Sequence, residues 1–559
     1  STGRYGAMIG FIIRSCLHHR LLVLLISVLL CVLGARAIQH TAVDAIPDLS
    51  DVQVIIKTSY PGQAPNWIEQ HITRPLSSAL SSVPGAQSVR GFSFFGDSFV
   101  YVIFKDGTDM YWARSRVQES INQAAKKLPP GASAELGPDA SGVGWIYIYA
   151  LHSPTHQQDL AQLRALHDNF LRYELQSLPG VAEVAPVGGM VKEYQIVPDL
   201  QKLMQYGIPL MHISNAVAHN NRESGLAAIE LAEAETMLRA TGTIKNAAEL
   251  GATPLGVMDK NGAPLLLNHV ASITEAPAMR KGLVDLNGQG EVVGGIIIMR
   301  QGENAQTTIQ AVKEKLAQLT QALPPGVTIT PVYDRSQLIS RAVHHLGYKL
   351  AQELILLSIL LLLFICSARS VLAALITLPT GILMSFLCMQ WQGINANIMS
   401  LGGIAIALGA MVDGAIVMIE NLHRKNQTAT GDINHLQAVY DSAMEVGPTL
   451  FFSLVIVTIS FMPIFTLDGE EGRLFRPLAF TKTYAMASAA LISITLMPVL
   501  LYYLAKHNRH NSHPLPQRMQ QGLMRIYQPL LAACLHNPQR FLSAVALLGL
   551  LALLPIKFI

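Results

Sequence analysis

Residues 398–419 read IMSLGGIAIALGAMVDGAIVMI, an apolar and small-residue run interrupted by one charge, Asp413. At about 1.5 Å rise per residue the run crosses the roughly 30 Å hydrocarbon core of a bilayer as a helix. Asp413 is therefore placed within the membrane, where an aspartate near a helix centre costs about 2.5–3.5 kcal/mol on insertion scales. A residue kept at that cost faces a protein interior or a water path, and proton carriage is the leading role. The plain alternative is a structural aspartate hydrogen-bonded to neighbouring helices. Gly402, Gly403, Gly409 and Gly414 thin the helix surface and let other backbones approach, so the helix is expected to be packed rather than lipid-bathed.

The rest of the 559-residue chain agrees with a membrane setting: it is 50% hydrophobic and 14% charged, its mean hydropathy is +0.34, and the apolar residues fall in blocks. A net charge of +3 is too small to indicate a nucleic-acid partner. Cys16, Cys31, Cys366 and Cys388 lie in or beside apolar runs and Cys534 in a basic segment, so no disulfide framework supports the large hydrophilic stretch. Residues 1–7, STGRYGA, read as an appended remnant ahead of Met8, and the run 21–35, followed by Arg36, reads as a retained anchor rather than a cleaved signal.

Runs long enough to span fall at 17–37, 350–366, 371–389, 398–419, 446–467, 483–504 and 541–556, which predicts seven helices. Arg14 and Arg20, Arg369, the group His423, Arg424 and Lys425, and the group Lys506, Arg509, Arg518, Arg525 and Arg540 all fall on one side if every run crosses. That side is cytoplasmic and contains Met8, while residues from about Gln39 to His345 are external.

The external stretch repeats. A helical pattern running into Val/Leu-Pro-(Pro)-Gly and then a strand occurs at Val83-Pro84-Gly85, Leu128-Pro129-Pro130-Gly131, Leu178-Pro179-Gly180 and Leu323-Pro324-Pro325-Gly326. Each copy reads as half of a βαββαβ unit. The first unit is expected from Val52 to about Glu135; the second starts near Gly144 and ends near Val332, with an insertion from about Val187 to Glu291 that folds as its own subdomain. No phosphate-binding Gly-rich loop, nucleophile elbow or HExxH motif occurs, so neither ATP-driven transport nor hydrolytic enzyme chemistry has support.

VDAIPDLSDVQVIIKTSYPGQAP from Val43, VRGFSFFGDSFVYVIF from Val89, GPDASGVGWIY from Gly137, LAEAE from Leu231, YDRSQLI from Tyr333, NANIMSLGGIAIALGAMVDGAIVMIEN from Asn395 and FTLDGEEGRLFRPLAFTKTYAMA from Phe465 resemble the heavy-metal branch of the resistance-nodulation-division exporters, most of all its copper(I)/silver(I) pumps. The resemblance runs from Met8 to the end and covers the first half of such a pump, with Ile559 falling where a seventh helix emerges. It implies a proton-driven trimer of the bacterial inner membrane, joined to a periplasmic adaptor and an outer-membrane channel, with a missing C-terminal half. It implies a seven-span α-helical bundle plus an α+β periplasmic region of two split-βαβ, ferredoxin-like porter subdomains and a docking insertion. The boundaries are then 1–16 cytoplasmic, 17–38 the first transmembrane helix, 39–137 the first porter subdomain, 138–187 with 291–335 the second, 188–290 the docking insertion, 336–505 helices two to six, 506–540 a basic loop and 541–559 helix seven.

Within the resemblance Asp413 matches the family's proton-relay aspartate. The divalent-cation branch carries a further aspartate where this chain has Ala407, which argues for a monovalent metal. The methionine ladder of the copper/silver branch maps onto Met399, Met411, Met418 and Met486 in the membrane and Met279 outside. An expected sixth-helix partner for Met418 is Leu501 here, with Met497 one turn earlier as the substitute. Thioether sulfur is soft, neutral and weakly binding, which suits Cu(I) or Ag(I) as cargo, and Met411 and Met418, seven residues apart, share a helix face. Core filling is the plain alternative for each methionine; Met384, Met389 and Met462 are assigned to it. The histidines near His507, His510 and His513 read as a solvated loop, and Glu420 and Asn421 either pass protons or cap the membrane edge.

Overall fold

The computed structural model describes residues 2–231, 234–259, 262–365, 368–428, 435–505 and 514–553. It divides into two compact units, Ser1–Val143 with Gly302–Gln306 and Arg335–Ile559, and Gly144–Gln301 with Thr307–Asp334.

The first unit contains a helical part and a sheet. Helices long and apolar enough to cross a membrane are Arg20–His40, Arg335–Leu363, Arg369–Gln392, Ile398–Asn426 and His435–Thr466, with Gly469–Ile494 and Leu496–Leu504 as a bent sixth. Seven were expected. The seventh run appears among the described residues only as the helix Pro538–Leu553, and residues 554–559 lie outside them.

Three further differences have local causes. The 483–504 run is two helices bent by 50°, because Pro498 offers no N–H to the Ile494 carbonyl and Thr495 leaves helical geometry at φ −110°, ψ −69°. The fifth run begins earlier, at His435, carries Pro448 inside it, and ends in a short 3₁₀ turn, Met462–Thr466. Ahead of the first span, residues Thr2–His18 form a separate helix, broken from Arg20–His40 at His19. Its Ile9, Ile13 and Leu17 recur one turn apart and are buried, Ile13 closing on Gly447.

The sheet of this unit orders Ala86–Phe94, Asp97–Phe104, Gln53–Ser59 and Ser133–Leu136, all antiparallel. Strand alternation sends Val54, Ile56, Val100 and Val102 to one face, where Ile68, Ile72, Leu76, Val117 and Ile121 of the helices cover them. The second unit has the corresponding order, Val181–Gly188, Val293–Met299, Trp145–His152 and Thr328–Asp334. Counting strands along the chain, both sheets run second, third, first, fourth. At each of the four Pro-Gly turns the glycine adopts a left-handed backbone, φ +80° at Gly85, +91° at Gly131, +82° at Gly180 and +83° at Gly326. A residue with a Cβ is strained there, which is why the motif ends in glycine.

Between Gly188 and Val293 the chain forms a two-stranded pair, Lys192–Pro198 with Ala271–Pro277, around a small core of Leu203, Ile213, Leu250, Leu255 and Val270. The LAEAE stretch lies on the hairpin Glu223–Leu231 and Ala234–Thr241, with residues 232–233 outside the described set.

One buried ion pair joins the helical part to the strand connections. Arg335, 4% exposed, opens the helix Arg335–Ile365, lies 2.9 Å from Asp44 Oδ1 and donates to the Val143 carbonyl. Asp44 itself donates its N–H to Ala396 O at 3.0 Å. Removing the guanidinium leaves a shielded carboxylate and a carbonyl without their partner, so Arg335→Ala is expected to destabilise the chain by about 3–5 kcal/mol. Asp44→Asn in the same background should recover part of the loss. Thermal unfolding in detergent checks both; equal melting of Arg335→Ala and the parent would refute the reading.

Candidate functional site

The helix Ile398–Thr428 starts at a built cap. Asn397 is buried and its Oδ1 accepts from the Met399 and Ser400 N–H groups at 3.0 and 2.9 Å, satisfying two of the free donors of the first turn. Ala396, just before it, donates its N–H to Ala42 O at 2.8 Å, tying the helix start to the end of the first span.

Two faces then separate. Ala407, Leu408, Met411, Val412, Ala415, Met418, Ile419 and Leu422 are buried in the main apolar cluster. The helix Gly469–Ile494 packs close on this side: a Cβ at Gly403 would sit 2.5 Å from the Leu478 carbonyl oxygen and 2.2 Å from Thr481 Oγ1. Glycine is what permits that approach. The opposite face carries Ile398, Ile406, Gly409, Asp413, Val417 and Glu420, each exposed. The glycines divide between the two faces: Gly403 and Gly414 are buried, whereas Gly402 and Gly409 have open space beside them. Asp413 lies on the open face, turned about 200° around the helix from Met411 at 100° per residue.

Met411, Met418, Met486 and Met497 all belong to one buried cluster, together with Leu501. Met411 and Met497 line the same cavity, of about 20 Å3, with Thr377, Ala415, Ala489, Ile492 and Ser493. A space of that size holds about one water-sized sphere. The sequence had suggested Met497 as a partner for Met418; here it shares a cavity with Met411. Gly381 makes the arrangement possible, since a Cβ there would lie 2.1 Å from the Met411 methyl. The Thr377 hydroxyl donates to Ala374 O at 2.7 Å and the Ser493 hydroxyl to Ala490 O at 2.8 Å. Their protons are thereby committed, and the oxygens keep only acceptor character. The lining is neutral and includes two thioether residues, a donor type suited to a soft monovalent cation.

Met399 is half-buried at the start of its helix and outside this cluster. Met279 is 64% exposed and lies in the second unit. Met389 is packed with Ala37, Phe386 and Ile404, and Met462 is exposed. Asn421 is buried, donates to Ser442 O at 3.3 Å and accepts from Arg424 at 2.8 Å. Lys425 pairs with Glu445 at 2.8 Å. These contacts bind the helix end to His435–Ile459, while Glu420 is exposed. His507, His510 and His513 lie outside the described residues. No group of three or more His, Cys, Asp or Glu side chains placed to hold a metal occurs among the described residues.

Sequence reasoning missed Lys482. It is 8% exposed on the helix that carries Met486, with its Nζ 3.3 Å from the centre of the Phe461 ring. The rule that singled out Asp413, a charge within an apolar setting, would also have found it in TKTYAMA.

Apolar helices long enough to cross a membrane, together with antiparallel sheets between them in the chain, are the architecture of a membrane transporter of the resistance-nodulation-division fold. The chain belongs to the AcrB/AcrD/AcrF family, whose profile matches residues 12–559. It is 53% identical over 98% of its length to the cation efflux system protein CusA of Escherichia coli K12, and 50% identical over 97% to a putative cation efflux system protein SilA of Salmonella typhimurium. Similarity to the cobalt-zinc-cadmium resistance protein CzcA of Cupriavidus metallidurans is lower, 32% over 96%. These matches take in 53%, 52% and 51% of the respective relatives, so the chain spans about half their length. A crystal structure of a heavy metal efflux pump superposes with a TM-score of 0.77 at 31% identity, covering 88% of this chain and 48% of that one.

Proposed function

We propose that the chain acts in proton-driven efflux of Cu(I) or Ag(I) across the bacterial inner membrane. The observation that carries this reading is the cavity lined by Met411 and Met497 together with Thr377 and Ser493. A site of neutral thioethers holds a soft monovalent ion weakly enough to release it. Asp413 is the proton carrier, and Met399, Met418, Met486 and Met279 supply further weak sites along the route. The seven-span topology, with Met8 in the cytoplasm and residues from about Gln39 to His345 in the periplasm, belongs to the same proposal. So do the two porter subdomains with a docking insertion, the trimer, the periplasmic adaptor and the outer-membrane channel.

The competing reading is a pump for divalent metal. Weighing against it, Ala407 stands where the divalent-cation branch carries a further aspartate. The test is metal flux in vesicles holding the full-length pump under an imposed pH gradient. Ag(I) is expected to move and Zn(II) to remain. Zinc flux equal to or above silver flux would overturn the proposal.

A further inference from the structure

The helix Gly469–Ile494 has a second attachment that the methionine cavity does not use. Arg473, in its first turns, is 17% exposed and forks between two carboxylates: Nη2 lies 2.9 Å from Asp51 Oδ1 and Nη1 lies 2.7 Å from Asp106 Oδ1. Asp51 stands two residues before the strand Gln53–Ser59, and Asp106 two residues after Asp97–Phe104. Those strands are paired centrally in the first sheet, with Gln53 opposite Ile103 and Phe104 N–H donating to Val52 O at 2.8 Å. The fork therefore holds both strands at the same end.

The other end of the same helix is the cavity wall. It contributes Ala489, Ile492 and Ser493 to the lining, and its backbone at Leu478 meets Gly403 of the Asp413 helix. Between fork and wall lies Pro477. Its ring removes the N–H that would bond the Arg473 carbonyl, which weakens the helix one turn below the fork. The turns above Pro477 gain outside contacts that fix their direction: the guanidinium of Arg473 to the sheet, and Arg476 to Leu467 O at 3.1 Å beside it. A planar fork reaching two separate carboxylates fixes orientation as well as distance, which a point charge on a flexible stem does not.

We propose that Arg473 is a positioning residue for transport: it registers the sheet formed by residues 53–136 onto the cavity-lining helix, so that displacement of one is passed to the other. Arg473 touches neither the cavity nor Asp413, so its role is in coupling and not in binding. The proposal rests on the export reading for its transport arm, and a second arm is independent of it.

In the full-length pump, Arg473→Ala and the double variant Asp51→Asn/Asp106→Asn are expected to lower maximal Ag(I) flux on the order of tenfold, an ordinary coupling strength. The half-saturating metal concentration should stay within about twofold, because uniform binding is untouched. Each single Asn variant, keeping one arm of the fork, and Arg473→Lys should fall in between. Undiminished maximal flux in Arg473→Ala, or a loss confined to metal affinity, would overturn the proposal. The independent arm uses this chain with its five native cysteines replaced and spin labels at Glu135→Cys and Glu470→Cys, both exposed. The interlabel distance distribution should broaden on Arg473→Ala. Broadening in a protein that moves no silver would reject the export reading and keep the fork; an unchanged distribution would reject the fork.

Discussion

Asp413→Asn in the full-length pump is expected to reduce proton-driven metal flux by at least about 100-fold, the scale at which a positioned proton-transfer group contributes. Asn keeps the shape and part of the hydrogen-bonding capacity of the aspartate but carries no titratable proton. Metal affinity should change by less than about twofold, since position 413 lies on the open face of its helix while Met411 and Met418 are on the buried one. Flux in reconstituted vesicles under an imposed pH gradient, paired with a metal-binding titration of the same preparation, checks both halves. Undiminished flux removes Asp413 from the proton path. Affinity lost in parallel with flux would mean that the two faces are not independent.

The second large effect is expected at the cavity. Met411→Leu/Met497→Leu conserves volume, and swaps of this kind usually cost less than about 1.5 kcal/mol, so the chain should remain folded. It removes both sulfurs from the lining while leaving the Thr377 and Ser493 oxygens in place. Silver affinity of the purified chain should then fall on the order of 100-fold, at least what the loss of a supporting group costs a metal site. Met389→Leu and Met462→Leu serve as controls, because those side chains lie outside the cavity lining. Competition for Ag(I) against a soft chelator of known silver affinity measures the change. Wild-type affinity in the double variant would reduce both methionines to core filler.

Helices in the membrane were legible one by one, because a run such as 398–419 has only one way to satisfy its backbone groups in hydrocarbon. The Pro-Gly turns were legible for a similar local reason: a proline that cannot continue a helix and a glycine that accepts φ near +80° act without help from the rest of the chain. Asp413 stood out through its cost. Lys482 was overlooked although the same reasoning applies to it. Arg473 had no such signal: what sets it apart is the approach of Asp51 and Asp106, more than 360 residues earlier in the chain.

Composition, apolar run length and turn chemistry are properties of a few neighbouring residues, and the sequence by itself therefore determined which runs are long and apolar enough to cross a membrane, that Asp413 lies within one of them, and the places where strands follow helices. Facing and partnership are properties of distant segments. Only the tertiary structure decided that the glycines of the Asp413 helix divide between a packed and an open side and that Met497 shares its cavity with Met411. Each follows from side chains competing for the same few ångströms between helices. A methionine methyl seated where Gly381 has no Cβ is settled by packing and is not written in any one stretch.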